Sequence, residues 1–181
     1  MKSFVLNWHF TRGVGVACCG LEIRAPSGMV DMIPSFATSF AMEKIIYPRS
    51  PRETMSGWVY LPRFVDKIRL HLAGKLHPEY QENFTKGFDG GWLKAAGLTS
   101  DQFIEVVHNT ITDGEVADWV RVNVKKSDAE KQTFATFVLN RGNDADDARE
   151  RLRTRKADAG LAHRDDIKTF VDFIDADEKR L

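Results

Sequence analysis

Cysteine is almost missing: Cys18 and Cys19 are the only two in 181 residues. Adjacent cysteines do not readily form an unstrained disulfide with each other, and no C-x-x-C or paired Cys/His spacing offers a zinc site. No disulfide staple is expected, and a reducing, cytoplasmic location is the default reading. The five histidines lack H-E-x-x-H or any other ligand spacing, which excludes the usual catalytic metal sites. Excess charge is lacking as well. Equal numbers of basic and acidic residues, 26 each, remove the long-range positive field that non-specific nucleic-acid binding relies on. No run of about twenty apolar residues exists to span a membrane. The phosphate- and nucleophile-centred signatures are absent too: there is no Walker loop and no G-x-S-x-G elbow. Gly13, Gly15 and Gly20 have no βαβ context that would make a dinucleotide fingerprint of them. Internal repeats are not visible, and no cofactor is expected.

With 43% hydrophobic side chains, the chain suits one globular domain that buries about two thirds of its unfolded surface. Met1 to Ala41 carries few charges and no sustained helical or strand period. Lys2 and the apolar residues after it imitate a secretory leader, but Asn7, His9 and Arg12 interrupt the run. The segment reads as a flexible N-terminal extension that need not belong to the domain, and residues 42–181 read as a helical domain headed by Met42.

Within that domain, Ser50-Pro51-x-Glu53 has the form of a helix start, with a capping serine, a proline at the first helical position and a glutamate three residues after the cap. A short helix is expected there, weakened at Gly57 and broken before Pro62. Pro62 opens a second helix whose Leu61, Phe64, Val65, Ile68 and Leu72 share one buried face, with Arg63, Asp66 and Lys67 on the other. His71, on the Phe64/Ile68 side, reads as a hydrogen-bonded core residue. Gly74 is placed to end this helix.

Further on, Pro78 can begin a brief helix, KGFDGG reads as a turn, and Trp92 starts the next short helix. Thr99 with Gln102, Thr112 with Glu115 and Ser127 with Glu130 are capping boxes. The faces behind them are Phe103, Ile104 and Val107; Val116, Trp119 and Val120; and Phe134, Phe137 and Val138. The charged stretch from Asp144 to Ala159 reads as a solvated helix, acids first and bases last, docked by Ala148, Leu152 and Ala159. A last helix is expected from Asp165. Its acidic residues Asp165, Asp166, Asp172, Asp175 and Asp177 do not make a calcium loop, because the D-x-D-x-D-G pattern is missing.

The segments SPRET, LPRFVDKIRLHLAGKL, KGFDG, TDGEVADW, RKADAGLAHRDDI and FVDFIDADE resemble, in order from about Ile46 onward, the bacterial family catalogued as domain of unknown function 5069. The resemblance implies a mostly helical cytoplasmic domain and carries no established activity, cofactor or catalytic residue. The expected fold is therefore all-α: a single compact domain of six to eight short helices preceded by a poorly structured arm.

One polar constellation stands out. Arg49, Ser50 and Arg52 flank the expected helix start, where free amides favour an anion, and Arg63 with Lys67 can approach from the next helix. The competing structural reading is that these charges only form ion pairs. The leading functional expectation is a non-catalytic domain that binds a small anionic ligand or a protein partner, with no nucleic acid and no membrane. The alternative is an enzyme acting on a phosphorylated or carboxylated metabolite, with Arg49, Arg52 and Arg63 holding the anion and Asp66 as the proton-transfer candidate.

Overall fold

Local capping chemistry accounts for many of the helices. The computed structural model describes residues 45–181, and the expected flexible extension, Met1 to Ala41, lies outside them. Among the described residues there is one small hairpin, β1 (Thr54–Met55) with β2 (Trp58–Val59), followed by eight helices. These are α1 (Leu61–Leu72), α2 (Pro78–Gln81), α3 (Gly87–Ala96), α4 (Ser100–His108), α5 (Asp113–Asn123), α6 (Asp128–Asn140), α7 (Asp146–Asp158) and α8 (Phe170–Asp177). The domain is mainly helical, and no helix among the described residues is long and apolar enough to cross a membrane.

The three expected capping boxes are all formed, at the starts of α4, α5 and α6. A fourth, Thr169 with Asp172, starts α8. It escapes the sequence pattern because its N3 residue is aspartate rather than glutamate or glutamine. Each box satisfies amides at a helix start that no carbonyl can reach. Thr112→Ala should therefore cost about 1 kcal/mol, measured by urea unfolding. An unchanged midpoint would show that the box at α5 contributes nothing.

Ser50 to Gly57 is not a helix. Met55 pairs with Trp58 across a two-residue turn in which Ser56 and Gly57 both have positive φ, 50° and 78°. That is the I′ geometry whose twist matches antiparallel strands, and glycine supplies one of its two left-handed positions without strain. The turn wins because it buries Met55 and Trp58 on the core, whereas a helix through Gly57 would have only local capping in its favour.

The core is aromatic. Trp92 meets Phe103 at 4.5 Å, Phe64 at 5.9 Å and Trp58 at 6.0 Å between ring centroids, and Phe134 closes on Trp58 at 5.7 Å. α6 packs on β2 and α3, α1 on α4, and α8 on α6 and α7. The expected inward residues of α4, α5 and α7 hold at Phe103, Val107, Val116, Val120, Ala148 and Leu152. Three expected positions do not: Leu72, Phe137 and Ala159 are exposed. His71 is exposed rather than core, its ring stacked on Phe84 at 4.4 Å. KGFDGG is not a separate turn but the first part of α3, and α8 starts at Phe170 instead of Asp165. The largest departure is on α1, whose polar side is not solvated: Arg63 and Lys67 are buried along with the apolar face.

Candidate functional site

Arg49, Ser50, Arg52, Arg63, Asp66 and Lys67 lie on α1 and on the segment that leads into β1, and each cation among them meets a carboxylate. Arg49 grips Asp66 on α1: its Nε donates to Oδ2 at 2.8 Å, its Nη2 to Oδ1 at 2.8 Å, and its backbone N–H to Oδ2 at 2.9 Å. Its Nη1 donates to Asp113 at the start of α5 at 2.6 Å, and the second oxygen of Asp113 accepts from Arg69 at 2.6 Å. Arg52 reaches α8, where it pairs with Asp172 and, at 3.2 Å, with Asp175; the Ser50 hydroxyl also donates to Asp175 at 2.9 Å.

Arg63 holds Glu178 with both guanidinium nitrogens, at 3.0 Å and 2.5 Å, while the Tyr80 hydroxyl and Arg180 donate to the same carboxylate. Lys67 donates to Asp89, which also accepts from the Tyr60 hydroxyl at 2.7 Å and from the Thr85 backbone N–H at 3.0 Å. Burial pushes the Lys67 ammonium below the ordinary lysine value even though Asp89 opposes the shift. Burial and the Asp89 charge together push the Tyr60 hydroxyl well up.

The whole cluster is neutral. Arg49, Arg52, Arg63, Lys67, Arg69 and Arg180 stand against Asp66, Asp89, Asp113, Asp172, Asp175 and Glu178. Charges withdrawn from water persist only when paired and hydrogen-bonded, so the arrangement has a structural cause complete in itself. Asp66 accepts three bonds from Arg49. Arg49 and Arg52 lie at a turn rather than at the start of a helix of their own, and the starts of α5 and α8 meet them through Asp113 and Asp172, which take the place of an anion.

A different concavity, of about 320 Å³, opens beside the hairpin turn. Its lining includes Ser56 and Trp58 from the hairpin, Arg121 near the end of α5, Lys125 and Lys126 from the link to α6, and Lys131 in α6. Val120 and Val124 complete the lining, and no carboxylate is among its residues. The hairpin places Gly57 under Lys131: a Cβ there would lie 3.3 Å from Lys131 Cδ and 3.5 Å from its Nζ.

Three of these cations make pairs outside the lining, Arg121 with Asp118, Lys126 with Glu130 at 3.2 Å and Lys131 with Asp128 at 3.4 Å. All three are short-range helix-surface pairs with exposed acids, worth about 0–1 kcal/mol each. Lys125 has no ion-pair partner among the described residues, and the buried indole N–H of Trp58 has no acceptor there. None of these residues stood out in the sequence. Lys125 and Lys126 precede a capping box and read as the flank of a helix start, while Ser56 and Trp58 join them only once the hairpin forms. Among the described residues, no group of three or more His, Cys, Asp or Glu side chains is placed to hold a metal ion.

A family model described as "Domain of unknown function (DUF5069)" matches residues 45–180. No curated protein matches the chain.

Proposed function

We propose, from the premise that the chain belongs to the domain of unknown function 5069 family, whose name carries no chemistry, that it is a non-catalytic binding domain for a small anionic ligand. The observation that carries this reading is the concavity lined by Arg121, Lys125, Lys126 and Lys131 and by no carboxylate. Cations gathered in a recess repel one another and raise the local concentration of anions. Lysine ammoniums on flexible stems suit a small anion that must be bound and released. The arginine cluster offers less to a ligand, because its cations are held by buried or partly buried acids, often through several hydrogen bonds, whereas the paired cations of the concavity meet only exposed acids. The enzyme alternative is weakened in the same way, since its proton-transfer candidate Asp66 is engaged by Arg49. A bacterial, cytoplasmic setting is part of the proposal and rests on the cysteine usage and the family resemblance.

A protein partner is the second reading. A depression of about 430 Å³ is lined by Leu98, Val106 and Trp119 among others, and Ile111, next to its lining residue Thr110, is 88% exposed.

Thermal unfolding in added phosphate tests the anion reading, because a ligand of the native state adds RT ln(1 + [L]/Kd), about 2.7 kcal/mol at a hundredfold excess over Kd. Phosphate should raise the Tm of the wild type saturably, beyond the effect of chloride at equal ionic strength and of an uncharged osmolyte. The double variant Lys125→Gln/Lys131→Gln should lose that response, and Arg52→Gln should keep it. Loss of the response in Arg52→Gln alone would return the site to the arginine cluster. Equal stabilisation of all three proteins would leave only the non-specific strengthening of burial that such anions produce, and would sink the anion reading.

A further inference from the structure

The chemical class of the ligand can be read from what the basic concavity offers and what it withholds. We infer that the ligand is a compact polyanion bearing two phosphate groups, of the inorganic diphosphate or small bisphosphate type, recognised through its charge alone. This inference rests on the reading of the concavity as an anion site. A single phosphate group carries about −1.5 to −2 near neutral pH, which two cations suffice to balance. Four cations line this one recess, reaching it from three stretches of chain: Arg121 from α5, Lys125 and Lys126 from the link, and Lys131 from α6. Two phosphate groups bring about twice the charge of one and compete for Arg121, Lys126 and Lys131 with the exposed acids Asp118, Glu130 and Asp128 that pair with them outside the lining, so that each phosphate gains its own pair of cations.

The recess withholds an aromatic face. Trp58 is fully buried and packed against Trp92 and Phe134, so its ring is not available to stack on a nucleobase. The remaining apolar lining is Val120 and Val124. A nucleotide would therefore gain little from its base, and its phosphates would supply the affinity. The Ser56 hydroxyl of the lining already donates to the Ala117 carbonyl at 2.9 Å and the Trp58 indole N–H is buried, so recognition falls to the cations.

Isothermal titration calorimetry of the full chain with inorganic diphosphate and, separately, inorganic phosphate, in magnesium-free buffer at fixed ionic strength, tests the inference. Diphosphate should bind at least tenfold more tightly than phosphate. Lys125→Gln and Lys131→Gln should each weaken diphosphate about tenfold, as the loss of one charged hydrogen bond does, while Arg153→Gln, an exposed charge removal on α7, should not. Diphosphate affinity should also fall more steeply with added salt than phosphate affinity, because more counterions are exchanged. Phosphate binding within threefold of diphosphate would overturn the polyanion inference and leave the anion site standing. Failure of both anions to bind, or binding that Lys125→Gln and Lys131→Gln leave unchanged, would overturn the inference and the site together.

Discussion

Glu178→Ala is expected to lower stability by about 3–5 kcal/mol, which is what removing one partner of a buried ion pair costs when the other charge is left behind. Arg63 and Glu178 are almost wholly withdrawn from water, with side chains 3% and 2% exposed. Removing the carboxylate strips both guanidinium nitrogens of their acceptor and leaves the Tyr80 hydroxyl without its own. Only the carbonyl oxygens of Arg49, at 2.7 Å, and Pro48, at 3.3 Å, then remain to Arg63. For a domain of this size the loss corresponds to a fall in Tm of about 10–20 °C, and a shift of under 3 °C would contradict it. Deleting Glu178 to Leu181 should cost as much, although terminal residues are ordinarily dispensable.

The same carboxylate gives the domain an acid sensitivity of predictable sign. Burial pushes Glu178 up, but the hydrogen bonds and charge of Arg63, with help from Tyr80 and Arg180, outweigh it and hold the carboxyl below its ordinary value of 4.5. A depressed folded-state pKa contributes stability that is present above the unfolded value and lost as pH falls through the folded one. Asp113, held down by Arg49 and Arg69 against its own burial, adds to the trend. Wild type should thus lose stability as pH drops below about 4.5, and Glu178→Ala should lose less, since it no longer carries that group.

Asp89→Asn is the second large expected loss, again about 3–5 kcal/mol at pH 7. Asp89 is completely buried and is the shared acceptor of Lys67, Tyr60 and Thr85. An asparagine keeps the shape and an acceptor oxygen but leaves the Lys67 ammonium buried without a counter-charge. Lys67 already sits below the ordinary lysine value of 10.5 through burial, and removing Asp89 takes away the group that opposes that shift. When a lysine pKa is lower folded than unfolded, the unfolded chain binds more protons between the two values, and stability there rises with pH. The variant should therefore regain part of its loss as pH is raised from 7 toward 10, with Tyr60 remaining protonated because its hydroxyl is pushed well up. Urea unfolding at several pH values reads this directly, and a loss that does not change with pH would mean that Lys67 finds another anion or reaches solvent. Lys67→Met/Asp89→Leu, which replaces the pair with apolar groups, should recover most of the stability, limited by the Tyr60 hydroxyl, which would then lack its acceptor.

The site was half legible for a reason that lies in sequence distance. Arg49, Ser50, Arg52, Arg63 and Lys67 were visible as a constellation because they fall within one short stretch of chain. Their partners were not: Glu178 is 115 residues from Arg63, Asp175 is 123 from Arg52, and Asp89 is 22 from Lys67. Helical spacing alone puts Arg63 and Lys67 on the polar side of α1, and nothing within the helix indicates that α8 and α3 bring carboxylates to cover that side. The basic concavity was hidden for a related reason, since Ser56 and Trp58 reach Arg121, Lys125, Lys126 and Lys131 only through the packing of α6 on β2.

Neighbouring residues alone specify the features that short-range interactions can build. The capping boxes at Thr99, Thr112 and Ser127, the start of α1 beside Pro62, the apolar faces of α4 and α5 and the mainly helical class are set by interactions three or four positions apart. Such interactions do not need the rest of the fold in order to be recognised. Tertiary structure decided everything that required distant groups to meet. It chose a hairpin over a helix at Ser50 to Gly57, because burying Met55 and Trp58 outweighed a local cap. It turned His71 outward, buried two cations of α1 by supplying their acids, and left a recess with four cations beside the hairpin turn. Burial and long-range charge pairing are properties of the assembled chain, and no local pattern of residue types encodes them.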